Sequence, residues 1–203
     1  MMSLTGFFLF SFLIVHLYIN LFLFKQDKGA TFDVYAEFMA TYPLLRPVEI
    51  LLFAGFLLHA FVGGWLWFTN RSVRPVGYKV NRASESSTLA SRIAFWTGLF
   101  VAGFLVVHVN TFFVRSRFFP DNPPKPMYHL VAEAFRDPLY VVFYLLALGF
   151  LGYHLKHGFQ SAFQTLGLRV QRYERLVDIV GVIFWLIIPI CFAAMPLYFL
   201  LAQ

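Results

Sequence analysis

The sequence predicts an all-α integral membrane protein, a bundle of five transmembrane helices with its N-terminus inside and its C-terminus outside. Three observations carry that fold class. Apolar residues make up 60% of the 203-residue chain, 27 of them are Phe, and only 13% are charged. The mean hydropathy is +0.70, far above that of a water-soluble domain. Charge-poor runs long enough to cross a hydrocarbon layer of roughly 30 Å, which takes about 20 residues, occur at residues 4–24, 47–69, 91–115, 138–161 and 176–201. Lys and Arg are shared unequally between the two sets of loops that alternate along these runs.

The first run starts apolar at once and meets its first charge at Lys25. It lacks the basic n-region and small-residue cleavage site of a signal peptide, so it reads as a retained span. After it, Phe32, Tyr35, Ala36 and Met39 recur at helical spacing, which predicts a short amphipathic helix over 31–42 on the outer surface. The connection after the third run carries Pro120, Pro123, Pro124 and Pro126 and reads as a constrained turn. The single cysteine, Cys191, lies in the last run, so the chain has no disulfide framework and no cysteine metal site. Trp65, Trp67, Tyr140 and Tyr198 near run ends fit an interfacial aromatic belt. In lipid every backbone polar group must be satisfied within its own segment, which makes these runs helices. The short loops leave one membrane domain over 1–203.

Orientation follows from the basic residues. Nine of the 16 Lys and Arg fall on one side, namely Arg71, Arg74, Lys79, Arg82, Arg92, Lys156, Arg169, Arg172 and Arg175. The remaining seven, Lys25, Lys28, Arg46, Arg115, Arg117, Lys125 and Arg136, fall on the other. The richer side is the inner one. No segment has the pattern of a nucleic-acid module, so the basic balance points to anionic lipid or an acidic docking partner.

Ionisable groups inside spans are costly and rare, and each is a functional-site hypothesis. Of the six histidines, His16, His59, His108 and His154 fall one per helix on the first four spans. Taken singly, an intramembrane histidine is commonly just an interhelical hydrogen-bonding group. Their depths, at about 1.5 Å per residue, set them apart. His16 and His108 lie in the outer half of outward-running helices, and His59 and His154 in the inner half of inward-running ones. A bis-histidine haem needs two ligands at one depth on opposite sides of the ring, so the natural pairs are His16 with His108 and His59 with His154. Gly63 and Gly158, each four residues after a histidine, leave a notch one turn away on the same face. The chain has no Cys-x-x-Cys-His stretch, so both haems would be b-type. His157 lies close to the face of His154 and is placed near a propionate or an interface, and His129 reads as a surface residue. A proton relay of histidines without haem is the contrasting reading of the same pattern.

The stretch HLKHGFQSAFQTLG at residues 154–167, the phrase RSVRPVGY at 71–78, and five spans with histidines on the first four resemble a known family. It is the two-haem cytochrome b membrane subunit of succinate:quinone oxidoreductase (succinate dehydrogenase and fumarate reductase, complex II), the cytochrome b558 type. The resemblance implies that His16 and His108 hold a distal haem b, and His59 and His154 a proximal one. The family's fourth-helix ligand is the histidine four before a glycine, which selects His154 over His157. It also implies a flavoprotein and an iron–sulfur partner on the cytoplasmic face and a possible higher oligomer of that complex. The soluble succinate chemistry of the tricarboxylic acid cycle would belong to the partners. This chain's own role would be electron transport to a quinone, with menaquinone favoured, in the cytoplasmic membrane. Glu37, or Asp33 one turn earlier, is the candidate proton carrier at the quinone site. Arg92 and Arg136 are candidate propionate partners, although snorkelling would also explain them. Electrons crossing between the two depths would couple the reaction to membrane potential at about 2.3 kcal/mol per charge per 100 mV. A cytochrome b subunit of another membrane dehydrogenase is the nearest alternative.

Overall fold

A computed structural model describes residues 1–73 and 88–202. The chain is all-helical over the described residues, with no strand among them. Five helices are long and apolar enough to cross a membrane: α1 (Met2–Phe24), α3 (Leu45–Ser72), α4 (Leu89–Phe118), α6 (Pro138–Thr165) and α7 (Glu174–Leu201). This is the architecture of a multi-pass membrane protein. Each of the five runs read from the sequence lies within one of these helices. Of the 71–78 phrase, residues 74–78 lie outside the described residues, as do Lys79 and Arg82.

Two short helices occupy the loops at the end where α1 finishes. The first, α2 (Ala30–Thr41), is the amphipathic helix expected over 31–42. It starts where the chain turns at Gly29, whose φ of +88° suits a residue without Cβ. The Asp27 carboxylate accepts hydrogen bonds from the Gly29 and Thr31 amides and the Thr31 hydroxyl. It ends at Tyr42, which precedes Pro43 and takes an extended backbone. The second, α5 (Met127–Ala134), follows the proline-rich turn and has no counterpart in the sequence reading. Phe32 of α2 and Val131 of α5 share an apolar cluster with Leu23, Phe135 and Phe199. The two helices therefore close the end of the bundle at which α1 finishes. Asp33 accepts from the Tyr128 amide at 2.8 Å, Arg117 donates to the Ala40 carbonyl at 2.8 Å, and Glu133 pairs with Lys125 and Arg115.

The long helices start and stop for local reasons. Thr88 caps α4 by accepting from the Ser91 amide, and Asp137 caps α6 by accepting from Leu139, with Pro138 in the first turn. α6 ends in a left-handed Gly167 with Leu168 N–H donating to the Phe163 carbonyl and Gly167 N–H to that of Gln164, the pairing of a Schellman stop. Two spans carry a π-helical turn, at Val109–Val114 in α4 and Ile183–Ile187 in α7. Such turns concentrate at functional sites. In α7 the cause is visible. Pro189 has no N–H for the Trp185 carbonyl four residues back. That oxygen is directed at α6, where a Cβ on Gly152 would stand 2.9 Å from it.

Helices α1, α3, α4 and α6 form a square in which chain neighbours are spatial neighbours and α6 closes on α1. α7 packs outside, chiefly against α6. α6 is the central element, burying Val141, Tyr144, Leu148, Leu155 and Phe159 among others. No residue of α3 is buried, and Leu51, Leu57, Phe61 and Phe68 point outward. Such a face suits lipid and would be untenable in water.

Candidate functional site

The square places each histidine of a pair on diagonally opposite helices. His16 of α1 and His108 of α4 face each other in the half of the bundle that α2 and α5 close, ring centres 5.8 Å apart and planes at 83°. His59 of α3 and His154 of α6 do so in the opposite half, at 6.1 Å and 80°. The structure thus brings together the two pairs that the depth argument selects.

The axial separation follows from the contacts. His59 touches Thr5 of α1, eleven residues before His16, and His154 lies against Gly98 of α4, ten residues before His108. At 1.5 Å per residue both helices give a separation of roughly 15 Å, half of a hydrocarbon layer of about 30 Å.

Two of the four imidazoles have a hydroxyl at Nδ1. The Nδ1 of His108 is 2.8 Å from the Tyr144 hydroxyl, which the Tyr140 hydroxyl approaches at 3.4 Å. The Nδ1 of His59 is 3.1 Å from Oγ1 of Thr5, and that hydroxyl donates to the Met2 carbonyl at 2.9 Å. The Nδ1 of His154 is buried with no hydrogen-bond partner. A buried polar group left so is costly. His16 is packed by rings, stacked on Phe12 at 5.2 Å and tilted against Phe192 at 5.6 Å.

No family model, no curated protein and no solved structure matches this chain.

The residues present fit a haem on donor chemistry and spacing. An iron bonded to two imidazole nitrogens at about 2 Å each, with roughly 1 Å more from each nitrogen to its ring centre, sets the centres roughly 6 Å apart. Both pairs are at that spacing. Among the described residues no group of three or more His, Cys, Asp or Glu is placed to hold a metal ion. A bare zinc needs three or four protein ligands, whereas a porphyrin supplies four of an iron's six and leaves two for the protein. Gly98 provides a cradle, since a Cβ there would stand 2.9 Å from Cε1 of His154.

The other residues singled out in the sequence fall as follows. A Cβ on Gly63 would meet the Met2 side chain at 3.0 Å, and one on Gly158 the Phe10 ring at 3.9 Å. Neither is placed against a histidine ring. The glycines that are so placed are Gly98 and, at 3.9 Å from Cε1 of His59, Gly6. Glu37 is exposed on α2, its carbonyl accepting from the Thr41 hydroxyl. Asp33 is committed to the Tyr128 amide. His157 is half-buried and His129 exposed. Lys156, inside α6, lies over the Trp185 ring at 4.6 Å, a cation–π contact that moderates its burial. Thr5, Gly98 and Tyr144 are the site residues missed by the sequence reading. Thr5 at the Nδ1 of His59 and Gly98 under His154 depend on how neighbouring helices are rotated. Tyr144, however, carried a signal, as a hydroxyl inside an apolar run on the fourth span.

Proposed function

We propose that the chain is a two-haem cytochrome b membrane subunit that passes electrons to a quinone within a succinate:quinone oxidoreductase of the cytoplasmic membrane. The observation that carries the haem reading is the pair of diagonal bis-histidine constellations at 5.8 and 6.1 Å. The resemblance of residues 154–167 supports the succinate:quinone assignment. On this reading His16 and His108 hold the outer haem b, and His59 and His154 the inner one. Haem iron held by two histidines supplies one-electron transfer.

The remaining roles fall to the chain's own groups. The apolar helices exclude water from the four imidazoles. The basic inner side, with Arg169 between α6 and α7 and Arg175 in the first turn of α7, receives an iron–sulfur subunit and with it a flavoprotein. There succinate loses two electrons and two protons to become fumarate. At the quinone, two electrons and two protons are taken up to give quinol, and Glu37 is the proposed proton carrier, with menaquinone the favoured substrate. The basic-residue bias, nine against seven, supports an N-terminus on the inside.

The test is purification of the intact complex from native membranes. The expected result is copurification with a flavoprotein and an iron–sulfur subunit and succinate-driven reduction of a menaquinone analogue. Copurification with a hydrogenase or formate enzyme in their place would refute the succinate assignment and leave the haem reading standing.

A further inference from the structure

Each histidine pair contains one imidazole whose Nδ1 meets a hydroxyl from another helix. In the inner pair the hydroxyl belongs to Thr5. Its single proton has an acceptor in the Met2 carbonyl at 2.9 Å, and donation there leaves a lone pair for Nδ1 of His59, 3.1 Å away. In that arrangement His59 carries its proton on Nδ1 and leaves Nε2 free for a metal. In the outer pair the hydroxyl is that of Tyr144, 2.8 Å from Nδ1 of His108. The Tyr140 hydroxyl oxygen is 3.4 Å away, within reach of the Tyr144 proton when the Tyr144 oxygen accepts from Nδ1. The Tyr144 ring is buried among Phe104 and Phe135 at 4.8 and 4.9 Å, which fixes where its hydroxyl stands. The opposite member of each pair is held otherwise. His154 has a buried Nδ1 without a partner, and His16 is stacked between rings.

We infer that Thr5 and Tyr144 are positioning residues, each orienting one histidine ring and, by accepting from its Nδ1–H, setting the electron-donating strength that histidine would have toward a haem iron. This rests on the haem reading above. A ligating histidine that donates its second N–H to an acceptor is a stronger base toward the metal. Removing the acceptor weakens the ligand, favours the reduced iron and raises the potential. Because the two hydroxyls serve different pairs roughly 15 Å apart, each substitution addresses one haem alone.

The experiment is a redox titration of the purified complex, followed by absorbance, on wild type and on Thr5→Val, Thr5→Ser and Tyr144→Phe. Thr5→Val should raise the midpoint potential of one haem and leave the other in place. Thr5→Ser should restore the wild-type value. Tyr144→Phe should raise the potential of the other haem. Haem release to a scavenging apoprotein should become easier at the affected site, by roughly 10–100-fold if the loss matches that of other outer-shell partners. Two haems with both potentials unmoved in Thr5→Val and Tyr144→Phe, or both variants moving the same haem, would overturn the inference while the haem reading stands. A wild-type protein without b-type bands would remove the haem reading and this inference together. If Thr5→Val fails to assemble, Tyr144→Phe against wild type decides it, because the variant keeps the buried ring.

Discussion

Replacing Gly98 with alanine sets two physical effects against each other. In a helix interior the change is favourable by roughly 0.5–1 kcal/mol, because alanine loses less backbone entropy than glycine. The new methyl would stand 2.9 Å from Cε1 and 3.3 Å from Nδ1 of His154, against 3.4 Å for the near limit of ordinary contact. The imidazole must therefore withdraw by about half an ångström. Overpacking of this kind costs about 1–3 kcal/mol, and a ligand ring must be held within about 0.5 Å of its productive position. Gly98→Ala is thus expected to leave the helix intact and to weaken or empty the inner haem site, with the outer site retained. The assay is the haem-to-protein ratio and absorption spectrum of the purified variant, with the ratio falling from two toward one. Gly103→Ala, on the same helix where a Cβ meets nothing within 4 Å, is the control and should keep both haems. Two haems with a wild-type spectrum in Gly98→Ala would refute the reasoning.

Three further predictions follow from the same geometry. Gly152→Ala sets a methyl 2.9 Å from the Trp185 carbonyl, a backbone atom that cannot swing aside. It should lower stability by about 1–3 kcal/mol, read as a lower unfolding midpoint in detergent, and an unchanged midpoint counts against the close packing of α6 and α7. The Asp27 carboxyl is held below its ordinary range, first by the Thr31 hydroxyl and then by the Thr31 and Gly29 amides and Lys25. A carboxyl depressed on folding contributes stability above its unfolded value and loses it as pH falls through the folded one. Protection of the Gly29 and Thr31 amides from hydrogen exchange, corrected for intrinsic rate, should therefore fade as pH drops below the ordinary carboxylate range of about 4. Asp27→Asn should abolish that dependence, and a variant with the wild-type profile would contradict it. Glu37→Gln should impair quinone turnover while both haems remain, whereas unchanged turnover would remove Glu37 from the mechanism.

The parts of this molecule that were legible in the sequence are those set by length and depth. Five runs of the right size must be helices in lipid, and a fixed rise per residue puts His16 level with His108 and His59 level with His154. The amphipathic α2 was legible too, because one face meets water and the periodicity of Phe32, Ala36 and Met39 survives. Rotation about the helix axes was not legible. The spans are apolar all round, so hydrophobic periodicity does not say which face turns inward. Gly63 and Gly158 illustrate this. Their spacing from a histidine suggested a notch beside each ring, yet in the structure Gly63 looks to Met2 and Gly158 to Phe10, while Gly98 from a neighbouring helix lies against His154. The hydroxyls of Thr5 and Tyr144 are likewise partners across helices. The π-helical turn at Ile183–Ile187 could be traced afterwards to Pro189. For the turn at Val109–Val114, directly after His108, no comparable local cause is seen.

The reduced-minus-oxidised absorption spectrum of the purified chain, with haem and protein quantified on the same sample, tests the central claim most directly. On the proposed function, the two diagonal histidine pairs would give the α and Soret bands of b-type haem and two haems per chain. Replacing either His16 or His108 should leave the inner haem, and replacing either His59 or His154 the outer one. A purified, folded chain without haem bands would contradict the account and leave the four histidines to a proton relay.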